Sequence, residues 1–322
     1  MNNPVCILDE DIDIYLSMSW EPGRPHGICG HVYEIIDYYL LLHHHFRVGI
    51  LFGDTFSEWS EFSKCIEDKY RLSSSELQSF KDNTKFHHLP MYVKGTNILF
   101  VDGSLRRLQT LGVRLMFKNI LVFKCSYLDT IYDKVYENVT LLQDDRVYID
   151  ITPEDVDISV NYIKKINFKH YKELDTNIGD DDTSLIYATT NCRYLHVDNL
   201  KSLFDLYKAK KYLIVTNKPS IYNVLSSPRV TILKPPVNGL FDMFSTYIYT
   251  PTECMWDGSP RFPAECKHYD KNVIYHDITD KYMSHDRGLY YRRLDISNNF
   301  NSLALRDDDE IIDILNEKIL YN

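Results

Sequence analysis

Several features are scarce in this 322-residue chain, and each scarcity argues against a class of protein. The seven cysteines form no Cys-x-x-Cys pair and are odd in number, which argues against a disulfide framework or a cysteine-rich zinc site. No stretch approaches the roughly 20 consecutive apolar residues that span a bilayer, and the start "MNNPVCILDEDIDIYL" lacks a basic segment followed by an apolar one. We therefore expect a cytoplasmic protein with free or buried thiols and no membrane partner.

Positive charge is also in deficit, since the formal net charge is −10 and the acidic excess lies before residue 183. A surface with this net charge does not favour nucleic-acid binding over its whole area. Residues 94–124 are a local exception, in which Asp102 is the single acid. This basic segment, which we interpret either as a solvated face or as a contact for an anionic partner, contains Lys94, Arg106, Arg107, Arg114, Lys118 and Lys124.

The apolar pattern indicates an α/β protein of about two domains. The segments "DIYLSMSW", "GHVYEIIDYYLLLHHH" and "RVGILFGD" have the spacing of a strand, a helix and a strand. Further predicted strands are "NILFVDG", "NILVFKC" and "RVYIDI". After an acidic candidate linker at residues 171–184, the pattern starts again with "SLIYATTNCRYL", the helix-like "VDNLKSLFDLYKAK", "KYLIVTN", "VTILKPP", "STYIYTP" and "KNVIYHD". Two such sheets predict ligands beyond the carboxyl ends of their strands.

The segment "YIYTPTECMWDGSPRFPAECKHYDKNVIYHD" at residues 247–277 carries the most specific chemistry. Ser259 suits a helix N-cap and Pro260 the first helical position, so a helix of about two turns should follow. Backbone amides at its start favour an anion, and the Arg261 guanidinium can donate two parallel hydrogen bonds to phosphate oxygens. Glu265, one turn further on the same side, would accept hydrogen bonds from ribose hydroxyls. An ordinary surface pair between Arg261 and Glu265 is the alternative.

Three polar residues follow other strands and fit the same nucleotide site. Asn217 and Lys218 come after "YLIV", and Arg193 follows the shorter strand that ends in "TTNCR". The two cations would reach phosphates from the carboxyl ends of their strands. Trp256 would stack on the base or simply pack.

The same segment resembles the donor site of GT-B glycosyltransferases, particularly those of T-even-type bacteriophages that place sugars on hydroxymethylated DNA bases. The resemblance covers residues 185–278, including "LIYATTNCRYL" and "YLIVTNKPS", and the glycine-bearing turn "PGRPHGICGH" supports it in the first half. It implies two facing Rossmann-like domains with an interdomain cleft. Residues 1–182 would bind the acceptor and residues 183–322 the nucleotide sugar. Arg261 would clamp the diphosphate and Glu265 would bind the ribose.

This resemblance also implies a reaction. A UDP-sugar would donate glucose, or a pentose such as arabinose, to a 5-hydroxymethylpyrimidine in phage DNA, with hydroxymethylcytosine favoured, in the cytoplasm of the host cell. Neither a divalent metal nor a tightly bound cofactor is required by the motif. The acceptor nucleotide would be flipped out of the duplex. Its neighbouring phosphates would contact Lys94, Arg106, Arg107, Arg114 and Lys118.

The first turn of the chain, "WEPGRPHGICGHVYE", is the matching acceptor-side feature. Gly27 and Gly30 let backbone amides approach a sugar or phosphate, and His26 or His31 would face the cleft. An inverting transfer needs a base for the acceptor hydroxyl, whereas a retaining one does not. We rank Asp102 above Asp54 for this role because Asp102 lies in the basic segment, and His26 is the second candidate.

Two other classes of function stay open. "DEDID" places Asp9, Asp11 and Asp13 in the DxD-like spacing of a metal-dependent GT-A transferase acting on a non-DNA acceptor. It precedes the first clear β-α-β unit, which disfavours that interpretation. The other class is a nonenzymatic protein that binds nucleotides or DNA with the same two domains.

Overall fold

The structure is a computed structural model. It describes residues 5–17, 30–52, 56–86, 92–100, 115–123, 139–142, 166–174, 182–188, 197–235, 237–250, 261–276 and 308–320. Within these ranges the chain forms two compact units. The first contains the described residues up to 142, residues 166–171 and the helix at 308–320, and the second contains those from 172 to 276.

A seven-stranded parallel sheet forms the first unit. Its strands are β1 (Val5–Ile7), β2 (Ile14–Ser17), β3 (Val48–Phe52), β4 (Thr84–Phe86), β5 (Tyr92–Phe100), β6 (Leu115–Phe123) and β7 (Val139–Leu142). Its first helices are α1 (Gly30–Leu42), α2 (Trp59–Lys69) and α3 (Ser74–Asn83). The strand order is β4-β3-β2-β5-β6-β7, and β1 pairs with β5 beyond the end of β2.

The second unit has a five-stranded parallel sheet in the order β10-β9-β8-β11-β12. Its strands are β8 (Thr183–Tyr187), β9 (Lys211–Val215), β10 (Val230–Leu233), β11 (Thr246–Tyr249) and β12 (Asn272–Tyr275). Its helices are α4 (Val197–Tyr207), the single turn α5 (Pro219–Tyr222) and α6 (Arg261–His268). The last helix of the chain, α7 (Asp308–Leu320), belongs to the first unit.

Each sheet reverses its strand order at one point, and these points are where ligands bind in open α/β sheets. In the first sheet the chain proceeds outward from β2 through β3 to β4, and in the other direction from β5 through β6 to β7. In the second sheet the reversal lies between β8 and β11. Residues that follow β2, β5, β8 and β11 are therefore the best placed to meet a ligand.

Helix α1 is buried on all sides rather than along one stripe, since every residue from Val32 to Leu42 is buried. Two of these are acids, Glu34 and Asp37. The Asp37 carboxylate accepts hydrogen bonds from the Tyr70 hydroxyl at 3.1 Å and from the Asn167 backbone N–H at 2.8 Å. Asp37 thereby ties the segment around residue 167 to the first helix, across 130 residues of chain.

A close backbone approach fixes the packing between β2 and β3. Tyr15 is directly opposite Gly49 in the parallel ladder. A Cβ atom on Gly49 would lie 2.5 Å from Cε1 of Tyr15, so only glycine leaves room for this ring. The Tyr15 hydroxyl in turn accepts a hydrogen bond from the backbone N–H of Asp9 at 3.1 Å.

The fold class predicted from the sequence is confirmed, because the chain is α/β with two successive Rossmann-like parallel sheets, the pair of domains that GT-B enzymes have. Strands β2, β3, β5, β6 and β8 to β12 were all predicted, whereas β1, β4, β7, α2, α3, α5 and α7 were not. The predicted strand "RVYIDI" lies outside the described residues. Helix α7 packs with the first unit, although the prediction assigned all of residues 183–322 to the second. None of the described helices has the length and apolar character to cross a membrane.

Candidate functional site

Arg261 is the first residue of α6, the helix that follows the reversal strand β11. Strands β11 and β12 are parallel neighbours, so the chain between them must return from the carboxyl edge of the sheet to its amino edge. Three residues separate α6 from β12, which puts the C-terminal end of α6 at the amino edge. Its eight residues span about 12 Å, which carries Arg261 toward the carboxyl edge, where ligands bind.

Arg261 and Glu265 form a buried ion pair. The Arg261 Nε donates to Glu265 Oε1 at 2.8 Å, and the two side chains are 4% and 0% exposed. The sequence predicted that both residues lie on one side of a short helix, and this is confirmed. The alternative considered from the sequence, an ordinary surface pair, is wrong because both side chains are buried. A charge removed from water depends on its partner far more than a surface charge does.

Aromatic packing explains why the start of α6 is buried. The ring of Phe262 lies 4.8 Å from Tyr187, 5.2 Å from Phe241 and 4.9 Å from Tyr247, measured between ring centroids. Burial raises the pKa of Tyr247 well above its usual value, so this tyrosine is neutral. The aromatic cluster draws the first turn of the helix against the sheet, and the polar pair next to Phe262 is buried with it.

The buried pair has the chemistry to bind a nucleotide. A guanidinium carries five N–H donors, so one bond from Nε to Glu265 is compatible with further donation to phosphate oxygens. A carboxylate accepts several hydrogen bonds, so Glu265 keeps acceptor capacity beyond its bond to Arg261. The bond between the two residues is strengthened because water is excluded from it.

Asn217 and Lys218 lie after β9, and both are exposed. Lys218 precedes the single turn α5, and its backbone N–H donates to Oγ1 of buried Thr216 at 3.1 Å. Strand β9 is separated from β11 by β8, so the two strands lie about 10 Å apart. The structure thus puts Lys218 and Arg261 after strands of one sheet, two strands apart.

A second pair of ionisable residues occupies the corresponding place in the first unit. Gly30 opens α1, which connects the parallel neighbours β2 and β3, so the start of α1 lies toward the carboxyl edge of that sheet. His31 Nδ1 is 3.0 Å from Glu34 Oε2, and the two side chains are 29% and 4% exposed. The sequence pointed to His31 as a residue facing the cleft, but its pairing with Glu34 was not predicted. The His-x-x-Glu spacing in the first turn of a predicted helix is the signal that would have revealed it.

Eight of the predicted site residues lie outside the part of the chain that the structure describes. Those outside the described residues are His26, Gly27, Asp102, Arg106, Arg107, Arg114, Arg193 and Ser259. Asp102 follows the reversal strand β5 by two residues in the sequence. Lys94 lies in β5 and Lys118 in the neighbouring β6, where Lys118 is exposed. The roles given to all of these residues stay predictions.

In the acidic segment that was considered as a metal site, Asp11 and Asp13 form ion pairs with Arg47. Asp13 accepts from the Arg47 backbone N–H at 2.8 Å and from its guanidinium at 2.9 Å, and this hydrogen bonding lowers the pKa of Asp13. Asp11 lies 3.6 Å from Arg47 Nη1. Across the described part of the chain, no group of three or more His, Cys, Asp and Glu residues is arranged to hold a metal ion. Asp13 therefore serves to attach the start of β2 to the residue before β3.

Comparisons with known proteins give only distant similarities. No protein-family model matches the chain, and no curated protein matches it significantly. One solved structure that resembles it is a glycosyltransferase from Rickettsia africae ESF-5, with 9% identity, a TM-score of 0.39 and coverage of 96% of this chain and 93% of that one. Another is Anabaena Alr3699/HepE in complex with UDP-glucose, with 9% identity, a TM-score of 0.41 and coverage of 96% of both chains. These TM-scores are too low to place the chain in a family.

Proposed function

We propose that this protein is a GT-B glycosyltransferase that moves a sugar from a UDP-sugar to a 5-hydroxymethylpyrimidine in DNA, with hydroxymethylcytosine as the favoured base. The observation that carries the proposal is the buried Arg261–Glu265 pair in the helix after the reversal strand β11. Residues 247–277, which contain this pair, are also the segment that resembles the phage enzymes.

The second unit binds the donor in this proposal. Arg261 donates to the diphosphate, and Glu265 both orients the guanidinium and accepts from the ribose. The carboxyl edge of a parallel sheet at its reversal point is the usual place for a nucleotide. Lys218 and Arg193 would supply further positive charge for the diphosphate from the ends of their strands.

The first unit binds the acceptor. The basic segment that includes Lys94, Arg106 and Arg107 would contact DNA phosphates, and exposed Lys118 is the member whose side chain the structure describes. The net charge of −10 over the whole chain would limit indiscriminate binding to DNA. Phosphate contacts of this kind release counterions, so we expect acceptor binding to weaken as salt rises.

The donor site is tested by separating its structural role from its binding role. A double variant, Arg261→Met with Glu265→Leu, removes both charges and keeps apolar bulk, so it should fold while single variants are destabilised. We expect UDP-glucose and UDP-arabinose titrations by calorimetry to show at least one bound donor for the wild type and none for the double variant. The matched control is Asp198→Ala with Lys201→Ala, which removes an exposed pair from the first half of α4 in the same unit.

Two outcomes would contradict the donor site. A folded double variant that binds the donor as tightly as the wild type would show that the pair is purely structural. A wild-type protein that binds neither nucleotide sugar would reject the proposed function itself. Tight binding without any turnover would favour the nonenzymatic alternative.

The acceptor is tested with DNA that contains hydroxymethylcytosine, by mass analysis of its nucleosides after incubation with each UDP-sugar. We expect the mass of one hexose or one pentose to be added. Arg106→Ala with Arg107→Ala should weaken DNA binding and flatten its salt dependence without changing donor affinity. If donor affinity falls instead and DNA binding does not, the assignment of the acceptor to the first unit is wrong.

A further inference from the structure

The His31–Glu34 pair has the geometry of a general base and its positioning residue. The Nδ1 to Oε2 distance of 3.0 Å is a hydrogen bond, and with the proton on Nδ1 the lone pair of the imidazole lies on Nε2. Glu34 is nearly inaccessible to solvent, whereas His31 is partly exposed. The histidine can therefore meet a substrate while the carboxylate behind it fixes the tautomer and the ring orientation.

The position of the pair in the fold supports a role at the ligand edge. Helix α1 follows β2, one of the two strands at the reversal point of the first sheet. His31 is the second residue of this helix, in the turn nearest the carboxyl edge. Arg261 has the equivalent position in the second unit, in the first turn of the helix after a reversal strand. The two units thus present one ionisable pair each at the edge where their sheets are expected to bind ligands.

Burial gives Glu34 a specific electrostatic effect. A carboxylate that is removed from water is poorly solvated, so it gains from a hydrogen bond to a cationic partner. Its negative charge stabilises the imidazolium that forms when His31 takes up a proton. The charge of Glu34 therefore makes Nε2 of His31 a stronger base during proton transfer, as the carboxylate does in other histidine–carboxylate pairs.

We propose that His31 is the catalytic base of the sugar transfer and that Glu34 positions it, an inference that rests on the proposed function. The hydroxymethyl oxygen of the acceptor forms the new bond to the anomeric carbon, and its proton moves to Nε2 of His31. The bond between the anomeric carbon and the β-phosphate oxygen breaks, and its electron pair leaves with UDP. One displacement of this kind inverts the anomeric configuration. His31 would then hold the role that the sequence assigned to Asp102 or His26.

The test compares His31→Gln with His170→Gln, a control histidine of the same unit whose Nδ1 lies 4.0 Å from the carboxylate of Glu76. We expect His31→Gln to lower kcat by about 100- to 10,000-fold with unchanged calorimetric affinity for the UDP-sugar. His170→Gln should leave kcat within about twofold of the wild type. Anomeric coupling constants of the product, measured by NMR, should show inversion. Circular dichroism confirms that each variant is folded, and His31→Asn replaces His31→Gln if the latter does not fold.

Glu34→Gln gives an independent measurement, because glutamine keeps a hydrogen-bond acceptor and removes the charge. Loss of this charge should lower the pKa of His31, so the acid limb of the kcat profile should move to lower pH while kcat falls. On α2, Asp68 accepts from the Tyr33 hydroxyl at 2.9 Å and Lys69 lies 4.0 Å from the Tyr33 ring centroid. Neither of these charges is altered in the variant, so we attribute the expected shift to the loss of the Glu34 charge.

The outcomes separate the two proposals. Transfer by His31→Gln at the wild-type rate, retention of configuration in the product, or an unmoved acid limb in Glu34→Gln would overturn the role of the pair while leaving the glycosyltransferase intact. Loss of activity in Asp102→Asn but not in His31→Gln would show that Asp102, not His31, is the catalytic base. If the wild-type protein neither binds nor turns over a UDP-sugar, that result would instead contradict the proposed function.

Discussion

Arg261 and Glu265 are four residues apart on one helix, and their charged groups meet at 2.8 Å with almost no exposure to solvent. The same spacing on an open helix surface contributes only a few tenths of a kcal/mol. Burial changes the consequence of losing one partner, since the other charge is then left in an apolar environment without compensation. The pair is thus both the proposed donor site and a condition for the local fold.

The first prediction concerns the stability of variants of this pair. Arg261→Ala should lower the free energy of unfolding by about 3 to 5 kcal/mol, because it leaves the buried Glu265 carboxylate uncompensated. The apolar double variant of Arg261 and Glu265 should recover most of this loss. Urea denaturation followed by fluorescence measures all three proteins. A double variant no more stable than Arg261→Ala would show that the pair is not electrostatically coupled.

The second prediction concerns Asp37, which holds the segment around Asn167 against α1. Asp37→Ala removes the side-chain acceptor of the buried Asn167 N–H and one of two acceptors of the Tyr70 hydroxyl, and should cost about 3 kcal/mol of unfolding free energy. The control is Asp82→Ala on α3, whose exposed carboxylate accepts from Gln78 Nε2 at 2.6 Å. This surface change should stay within about 0.5 kcal/mol of the wild type. Equal losses for the two variants would contradict the structural role of Asp37.

The third prediction follows from the contact between Gly49 and Tyr15. Gly49→Ala forces a methyl group to within 2.5 Å of the Tyr15 ring, so it should destabilise the first unit by about 1 to 3 kcal/mol. The matched control is Gly30→Ala, where a Cβ atom would meet nothing within 4 Å and the residue is helical. That change should be neutral or stabilising by up to about 1 kcal/mol. Thermal unfolding distinguishes the two variants.

The fourth prediction concerns pH and the histidines near the end of α1. Burial lowers the pKa of His43 and, as the largest of several causes, that of His170. Unfolded histidine takes up a proton below about pH 6.5, so the unfolded state binds more protons than the folded one below this pH. The stability contributed by the neutral rings is complete above pH 6.5 and is lost as the pH falls through the folded values. The free energy of unfolding should therefore decrease between pH 7.5 and pH 5.

A double variant, His43→Gln with His170→Gln, tests this assignment. It should be less stable than the wild type at pH 7.5 but lose less stability on acidification. His45→Gln, at an exposed position beyond the same helix end, should show the wild-type pH dependence. If the double variant and the wild type decline equally, other groups are responsible for the acid sensitivity.

Local patterns in the sequence were sufficient to predict most of the secondary structure. The strands of the second sheet were predicted from short apolar runs, and the helix at Arg261 from a cap, a proline and its position after a strand. These signals are local because the period of a strand or helix and the chemistry of its ends depend on residues a few positions apart. The shared face of Arg261 and Glu265 follows from the same helical period, so it too was predicted correctly.

Burial and long-range pairing were decided only by the tertiary structure. Arg261 is buried because its neighbour Phe262 packs against rings from Tyr187, Phe241 and Tyr247, and no pattern within the helix contains that information. Asp37 accepts hydrogen bonds from residues 33 and 130 positions away in the sequence. Helix α7, near the C-terminal end of the sequence, belongs to the first unit. The side chains that determine the local dielectric environment come from distant parts of the sequence. The sequence therefore determined which groups carry charge, and the packing within each unit determined which of those charges are shielded from water.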